Sequence, residues 1–134
     1  MIVVDTSAWV EMLRGTDSRA DRALQWWLAE DEELAVTEVV IMEILAGARP
    51  GEDVSILRSQ FEEFPILPLQ GMADYEAAAN LYRDCRAAGE TVRELNDCLV
   101  AVPAIRAGAP VLHADTDFDK LARHTPLEVV PLHV

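Results

Sequence analysis

Two short apolar segments that run into acidic residues constrain the fold of this chain more than any other feature. Residues 2–4 (Ile-Val-Val) stop at Asp5, and residues 110–113 (Pro-Val-Leu-His) lead through one alanine to Asp115. A β-branched run that changes abruptly into helix-starting residues is typical of a buried strand that feeds a helix. We therefore expect parallel strands joined by helices, with both acids at the carboxyl edge of the sheet, where open α/β sheets bind ligands.

Strand-like and helical segments alternate along the whole chain, which predicts one α/β domain over residues 1–134. Three further strands are expected at residues 34–36, 65–69 and 129–130. Apolar residues at helical spacing, bounded by capping residues, glycines and prolines, predict helices around residues 6–14, 18–28, 37–48, 54–64, 75–89, 94–106 and 115–123.

Prolines refine this arrangement. Pro65 and Pro68 flank the third strand, and Pro126 and Pro131 flank the fifth. Because proline has no N–H to donate to a neighbouring strand, both strands belong at edges of the sheet. Pro103 lies inside a helical segment, where it is expected to cause a kink.

The charge balance excludes one class of function. The 134 residues carry 11 Lys and Arg against 24 Asp and Glu, a formal net charge of −13. Such a surface repels polyanions, which argues against a protein that coats nucleic acid through bulk electrostatics. We expect neither a signal peptide nor a membrane span, and Cys85 and Cys98 lack the spacing of a zinc site or disulfide framework, so a cytoplasmic location with reduced thiols is expected.

Most of the acids lie in polar runs, but five do not. Asp5 and Asp115 follow strands, Glu43 and Asp97 face small or apolar residues on their helices, and Asp117 follows Asp115 by two positions. Each has a structural explanation when taken alone. Asp5, Asp115 and Asp117 suit helix N-caps, Asp97 could pair with an arginine at position 93, and Glu43 could form a buried salt bridge.

Taken together, the acids favour a metal site. If they converge, each pair at about 5 Å repels by roughly 3 kcal/mol at an effective dielectric near 20, so the cluster requires compensation. Carboxylates are hard oxygen ligands suited to Mg²⁺ or Mn²⁺, and there is no Cys/His set to prefer zinc. The hypothesis is a site where metal-activated water attacks a phosphodiester.

Four segments of the chain contain these acids: Ile-Val-Val-Asp-Thr-Ser-Ala-Trp at residues 2–9, Val-Val-Ile-Met-Glu-Ile-Leu-Ala-Gly at 39–47, Asn-Asp-Cys-Leu-Val-Ala at 96–101 and Leu-His-Ala-Asp-Thr-Asp-Phe-Asp at 112–119. In this order they resemble the acidic motifs of PIN-domain ribonucleases, and more specifically of the VapC-type toxins of bacterial toxin–antitoxin pairs. The resemblance covers nearly the whole chain. Asn96, where relatives usually carry Ser or Thr, and Pro103 depart from the pattern without removing an acid.

The resemblance implies a three-layer domain with a five-stranded parallel sheet in the order 3-2-1-4-5. It also implies a Mg²⁺-dependent endoribonuclease, with Mn²⁺ a possible substitute, that forms a homodimer and is neutralised by a VapB-type antitoxin. The implied catalytic and metal-binding acids are Asp5, Glu43, Asp97 and Asp115, with Asp117 as an additional ligand. The hydroxyl of Ser7, or with less support that of Thr6, would position water or phosphate.

Because the chain is acidic overall, local arginines must hold the RNA. Arg83, Arg86 and Arg93 precede or flank the segment that contains Asp97 and are the candidates, although solvated charges on a helix face would look the same. Trp26 lies off the apolar stripe of its helix, as a residue in an antitoxin or dimer contact would, or as a partly covered surface tryptophan would.

Other interpretations account for less of the chain. His113, His124 and His133 show no ligand spacing and are taken as structural, with His113 the nearest to the expected site. The segment around Asp115 also resembles the motif of haloacid-dehalogenase-type phosphatases, but too little sequence follows it. A receiver-type domain would need a lysine at the end of a late strand, and no predicted strand of this chain ends in a lysine. The main alternative is a PIN-like domain that binds RNA or a partner without catalysis.

Overall fold

The computed structural model describes residues 1–132, so His133 lies outside the described residues. The elements follow the expected alternation of strands and helices. In chain order they are β1 Ile2–Val4, α1 Thr6–Leu13, α2 Arg19–Ala29, β2 Leu34–Thr37, α3 Glu38–Ala46, α4 Val54–Ser59, β3 Ile66–Leu67, α5 Met72–Ala87, α6 Leu95–Ala107, β4 Val111–Leu112 and α7 Thr116–His124.

The strands form one parallel sheet in the order β3-β2-β1-β4. In β1, Val3 pairs with Ala35 on one side and with Val111 on the other. All three residues of β1 are buried although successive side chains point to opposite faces, so helices cover both faces of the sheet. The α/β class with a parallel sheet flanked by helices is thus confirmed.

The prediction of five strands is wrong for the described residues, in which four strands form the sheet. The segment expected as strand 5 makes a single parallel bridge between Val129 and Val111. Its backbone bonds to β4 are Val111 N–H to Glu128 O (3.0 Å) and Val130 N–H to Val111 O (2.9 Å). Pro131 follows at once and has no N–H, which removes a donor for extending the pairing.

The other proline-flanked strand, β3, lies at the sheet edge as expected. The helix before it is shorter than predicted, because α4 ends at Ser59 and the residues up to 64 form turns. The ring of Phe61 nevertheless packs against Trp9, with ring centroids 4.9 Å apart. Proline at 65 disfavours helical backbone in the residue before it. Phe61 still packs against Trp9, although the helix ends before it.

Helix α6 continues through Pro103 as one element and ends at Gly108, which adopts the left-handed conformation (φ 64°) that glycine tolerates. Cys85 on α5 and Cys98 on α6 are free and buried. Along residues 1–132, no helix combines the length and apolar character needed to cross a membrane.

Candidate metal centre

The site forms at the carboxyl ends of β1 and β4, the two strands at which the order of the sheet reverses. Asp5 follows β1 and caps α1, and Asp115 follows β4 and caps α7. Capping is the structural explanation given above for Asp5, Asp115 and Asp117; the first two act as caps, whereas Asp117 lies inside the first turn of α7. Capping and site formation coincide because a helix N-terminus begins where the strand ends.

Three acids come together in space. Asp97, Asp115 and Asp117 each offer one carboxylate oxygen, and these three atoms lie within 4.8 Å of one another. Asp97 is buried in the first turn of α6, and Asp117 is buried in the first turn of α7. The first turns of α6 and α7 and the end of β4 therefore bring together acids that span 20 positions of the sequence.

Asp5 adjoins this cluster on the β1 side. Its Oδ2 accepts hydrogen bonds from the Ser7 hydroxyl (2.6 Å) and the Ser7 amide (2.9 Å), while its Oδ1 is buried without a hydrogen-bond partner. Burial is the main cause that raises the pKa of Asp5 to about 6, and the negative charge of Glu43 adds to it. Glu43 on α3 is half-buried, and its Oε1 accepts a hydrogen bond from the Thr6 hydroxyl at 2.9 Å.

Asp97 has the most perturbed carboxyl group of the set. Burial comes first, followed by the negative charges of Asp5 and Asp115, and together they raise its pKa to about 9. One of its oxygens, Oδ2, is buried without a hydrogen-bond partner. Burial and the neighbouring carboxylates therefore disfavour the ionised form of Asp97.

Asp117 differs because cations and amides surround it. Its Oδ2 accepts hydrogen bonds from the amides of Arg93 (3.0 Å) and Glu94 (3.1 Å), and its Oδ1 accepts one from Lys120 Nζ (3.1 Å). Burial alone would raise the pKa of Asp117, but these hydrogen bonds outweigh it and the pKa lies below its ordinary value. Asp117 thus fixes the start of α6 and also lies within the acid cluster.

The arginines separate into two groups. The Arg93 guanidinium lies 3.4 Å from Asp115 and 3.5 Å from Asp117, so it pairs with these acids and not with Asp97 as the structural explanation had it. Arg83 bonds to Asn80 and Arg86 stacks over Tyr82, both contacts within α5. Of the three candidates, the structure brings Arg93 to the acids.

Ser7 and Thr6, expected to position water or phosphate, have hydroxyl groups that already bond to protein. The Ser7 hydroxyl donates to Asp5 and accepts from the Ala114 amide at 2.9 Å, and so connects the ends of β1 and β4. The Thr6 hydroxyl donates to Glu43. In this structure both hold acids in place.

Two residues in contact with the site were not among the sequence candidates. Lys120 binds Asp117 from one helical turn away, a spacing that could have been found in the sequence. His113, taken as structural, accepts the Asp115 amide on its Nδ1 (3.1 Å) and lies with Nε2 3.3 Å from Asp119. Burial lowers the pKa of His113, and only the folded chain reveals these contacts.

The donor set suits a hard divalent cation. Every candidate ligand is a carboxylate oxygen, and the buried oxygens Asp5 Oδ1 and Asp97 Oδ2 lack partners. A buried carboxylate oxygen without a partner is costly, and a cation removes that cost. The residues present therefore fit Mg²⁺ or Mn²⁺.

A second feature adjoins the site. A cleft of about 480 Å³ lies between α1, α3 and α4 and has Glu43 in its wall. Its lining combines apolar side chains, among them Val10, Leu13, Ile44, Ile56 and Leu57, with charged ones that include Arg14, Arg49, Glu52 and Asp53. Trp26 lies elsewhere on the surface, 55% exposed, with its ring packed edge-on against Trp27.

The chain is similar in sequence to known proteins. The PIN domain family model matches residues 2–124. VapC ribonuclease Mb1587 from Mycobacterium bovis and Ribonuclease VapC11 from Mycobacterium tuberculosis are each 45% identical over 129 residues, which covers 96% of this chain and 96% of the relative.

Solved structures share the fold at lower identity. The structure of VapBC2 from Rickettsia felis bound to a DNA fragment from its promoter matches with a TM-score of 0.73 at 19% identity, over 97% of this chain and 98% of that one. VapC20 from Mycobacterium tuberculosis, described as a toxin that cleaves the sarcin-ricin loop, matches with a TM-score of 0.67 at 17% identity, over 98% and 100%. The chain therefore belongs to the PIN-domain family and, within it, to the VapC group.

Proposed function

We propose that this protein is a Mg²⁺-dependent endoribonuclease toxin of the cytoplasm, neutralised by a VapB-type antitoxin. The observation that carries the proposal is the pair of buried, unpartnered oxygens Asp5 Oδ1 and Asp97 Oδ2 beside the cluster of Asp97, Asp115 and Asp117. The relatives named as ribonucleases, at 45% identity, support RNA as the substrate.

The residues have separate tasks in the proposed reaction. Asp5, Glu43, Asp97 and Asp115 would hold the ion, with Asp117 as an additional ligand from within the cluster. Ser7 and Thr6 keep Asp5 and Glu43 oriented through their hydroxyl groups. When bound, the ion would supply an activated water and would stabilise negative charge on the phosphate and the leaving oxygen.

Arg93 is the best candidate for a phosphate contact. Its side chain is 67% exposed although it pairs with Asp115 and Asp117, so it can reach a phosphate in solvent while it remains next to the acids. A phosphate contact by Arg83 or Arg86 stays a prediction, because the contacts of these side chains within α5 neither support nor contradict it.

The antitoxin proposal rests on the cleft between α1, α3 and α4. A partner segment with apolar side chains would bury Val10, Leu13 and Ile56 there, and a basic residue on it would reach Glu43 in the same wall. The relatives solved as VapBC assemblies support a partner of this kind. A homodimer is proposed as well.

The experiment compares the parent protein with Asp97→Asn on structured RNA, such as a tRNA pool, in Mg²⁺, Mn²⁺ or chelator. We expect cuts only from the parent with metal, and products with 5′-phosphate and 3′-hydroxyl ends. Equal cleavage by Asp97→Asn would contradict the site, and 2′,3′-cyclic phosphate ends would refute hydrolysis by activated water. RNA binding without cleavage under all conditions would favour the alternative, a PIN-like domain that binds RNA or a partner.

A further inference from the structure

The side chain of His113 occupies a defined position between β4 and the acid cluster. The residue is buried, and its ring packs against Phe118 with centroids 5.2 Å apart. Its Nδ1 lies 3.1 Å from the Asp115 amide nitrogen, and its Nε2 lies 3.3 Å from Asp119 Oδ1. The imidazole thus connects the backbone of one acid with the side chain of another, four residues later.

These contacts fix which ring nitrogen carries the proton. The Asp115 amide can donate only to a nitrogen without hydrogen, so Nδ1 is the acceptor. In the neutral ring the proton is then on Nε2, where it faces the carboxylate of Asp119. Both nitrogens have partners and the side chain is 9% exposed, so the ring has no free nitrogen for a metal ion or an RNA substrate.

The segment that His113 contacts is the turn carrying two of the clustered acids. Side chains accept two other amides there: Ser7 Oγ accepts from the Ala114 amide (2.9 Å), and Asp115 Oδ1 accepts from the Asp117 amide (2.9 Å). The His113 nitrogen provides the acceptor for the amide of Asp115 itself. The orientation of a carboxylate that binds a metal ion depends on how firmly the backbone of that residue is held.

We propose that His113 is a positioning residue for the metal centre, which holds the Asp115 backbone through Nδ1 so that the Asp115 carboxylate faces Asp97 and Asp117. This inference rests on the proposed function, in which the acids bind a divalent ion. The Asp119 carboxylate acts one step further out: it lies 3.3 Å from Nε2, where its charge favours the proton on that nitrogen and so leaves Nδ1 unprotonated towards Asp115.

Three substitutions separate this role from simple packing. In His113→Asn, the amide oxygen replaces Nδ1 as acceptor for the Asp115 amide. In His113→Gln, the polar group reaches the Nε2 position instead, and His113→Leu has no polar group. The readout is Mn²⁺ affinity measured by titration calorimetry, with thermal unfolding in chelator as a separate measurement of stability.

We expect His113→Leu and His113→Gln to weaken Mn²⁺ binding by about tenfold, as is typical when a group supporting a metal ligand is removed. His113→Asn should recover most of that affinity while losing stability about as much as the other variants. Equal Mn²⁺ affinity in His113→Asn and His113→Gln would overturn the proposal, and this comparison remains decisive if His113→Leu does not fold.

A spectroscopic experiment tests the bond directly. In protein with ¹⁵N-labelled histidine, His113 should give the signals of the ring protonated on Nε2, both in chelator and with Mg²⁺. A proton on Nδ1, or a change of tautomer when Mg²⁺ is added, would overturn the assignment. If the parent binds no metal at all, the proposed function and this inference both fail; if the parent binds metal and the variants bind it equally, only the inference fails.

Discussion

Asp97 shows how one buried acid links pH to stability. Its folded pKa of about 9 lies far above the ordinary value of 3.8, so between these pH values the folded metal-free protein binds a proton that the unfolded chain has released. Stability contributed by this group is therefore complete below about pH 4 and is lost as the pH rises through about 9. Asp5, with a folded pKa of about 6, acts in the same direction over a lower range.

We therefore expect the metal-free protein to lose stability between pH 6 and pH 9, and Asp97→Asn to remove most of that loss because an amide does not ionise. Urea unfolding in chelator across this range measures the effect. Glu62→Gln, which changes an exposed acid, is the control and should keep the slope of the parent. Identical slopes for Asp97→Asn and the parent would contradict the raised pKa.

At the scale of single elements, α4 is the helix that most needs a partner. None of its residues is buried, and Ile56 is 59% exposed in the wall of the cleft beside Glu43. Leu13, 51% exposed, lines the same cleft, and neighbouring exposed apolar side chains often mark a protein-binding site. Val54, on the same helix and 47% exposed, does not line the cleft.

This difference gives a matched pair of substitutions. Ile56→Asp should weaken binding of a VapB-type antitoxin by about tenfold or more, since a buried apolar anchor typically contributes over 1 kcal/mol to an interface. Val54→Asp should leave that binding near the parent value. Calorimetric titration with the antitoxin measures both, and cleavage without antitoxin should persist in Ile56→Asp because the substitution leaves the five acids in place. Equal loss in both variants would exclude the cleft as the specific contact.

At the scale of the whole molecule, the net charge of −13 acts on every association. Two copies of the chain repel one another, and added salt screens that repulsion. We expect sedimentation to show a homodimer whose association strengthens with ionic strength. A monomer at all salt concentrations would contradict the predicted dimer.

The sequence by itself determined the order of the helices and of the first four strands, and the residues that cap α1 and α7. Two features are local in the sequence: the apolar runs that end at Asp5 and Asp115, and the prolines beside the third strand. Both reflect the backbone preferences of neighbouring residues. These features gave the parallel α/β sheet, the edge position of β3 and the two capping acids at the switch point. The sequence motifs also predicted the PIN-domain family that the comparisons show.

Tertiary structure decided what each side chain contacts. The direction in which α6 and α7 pack brings Asp97 to Asp115 and Asp117 and draws Arg93 to the latter two, which spacing along the chain does not specify. The segment expected as the fifth strand makes a single bridge to β4, a length of pairing that the sequence pattern did not reveal. The pKa of about 9 at Asp97 arises from burial and from charges distant in sequence, so only the folded chain could reveal it.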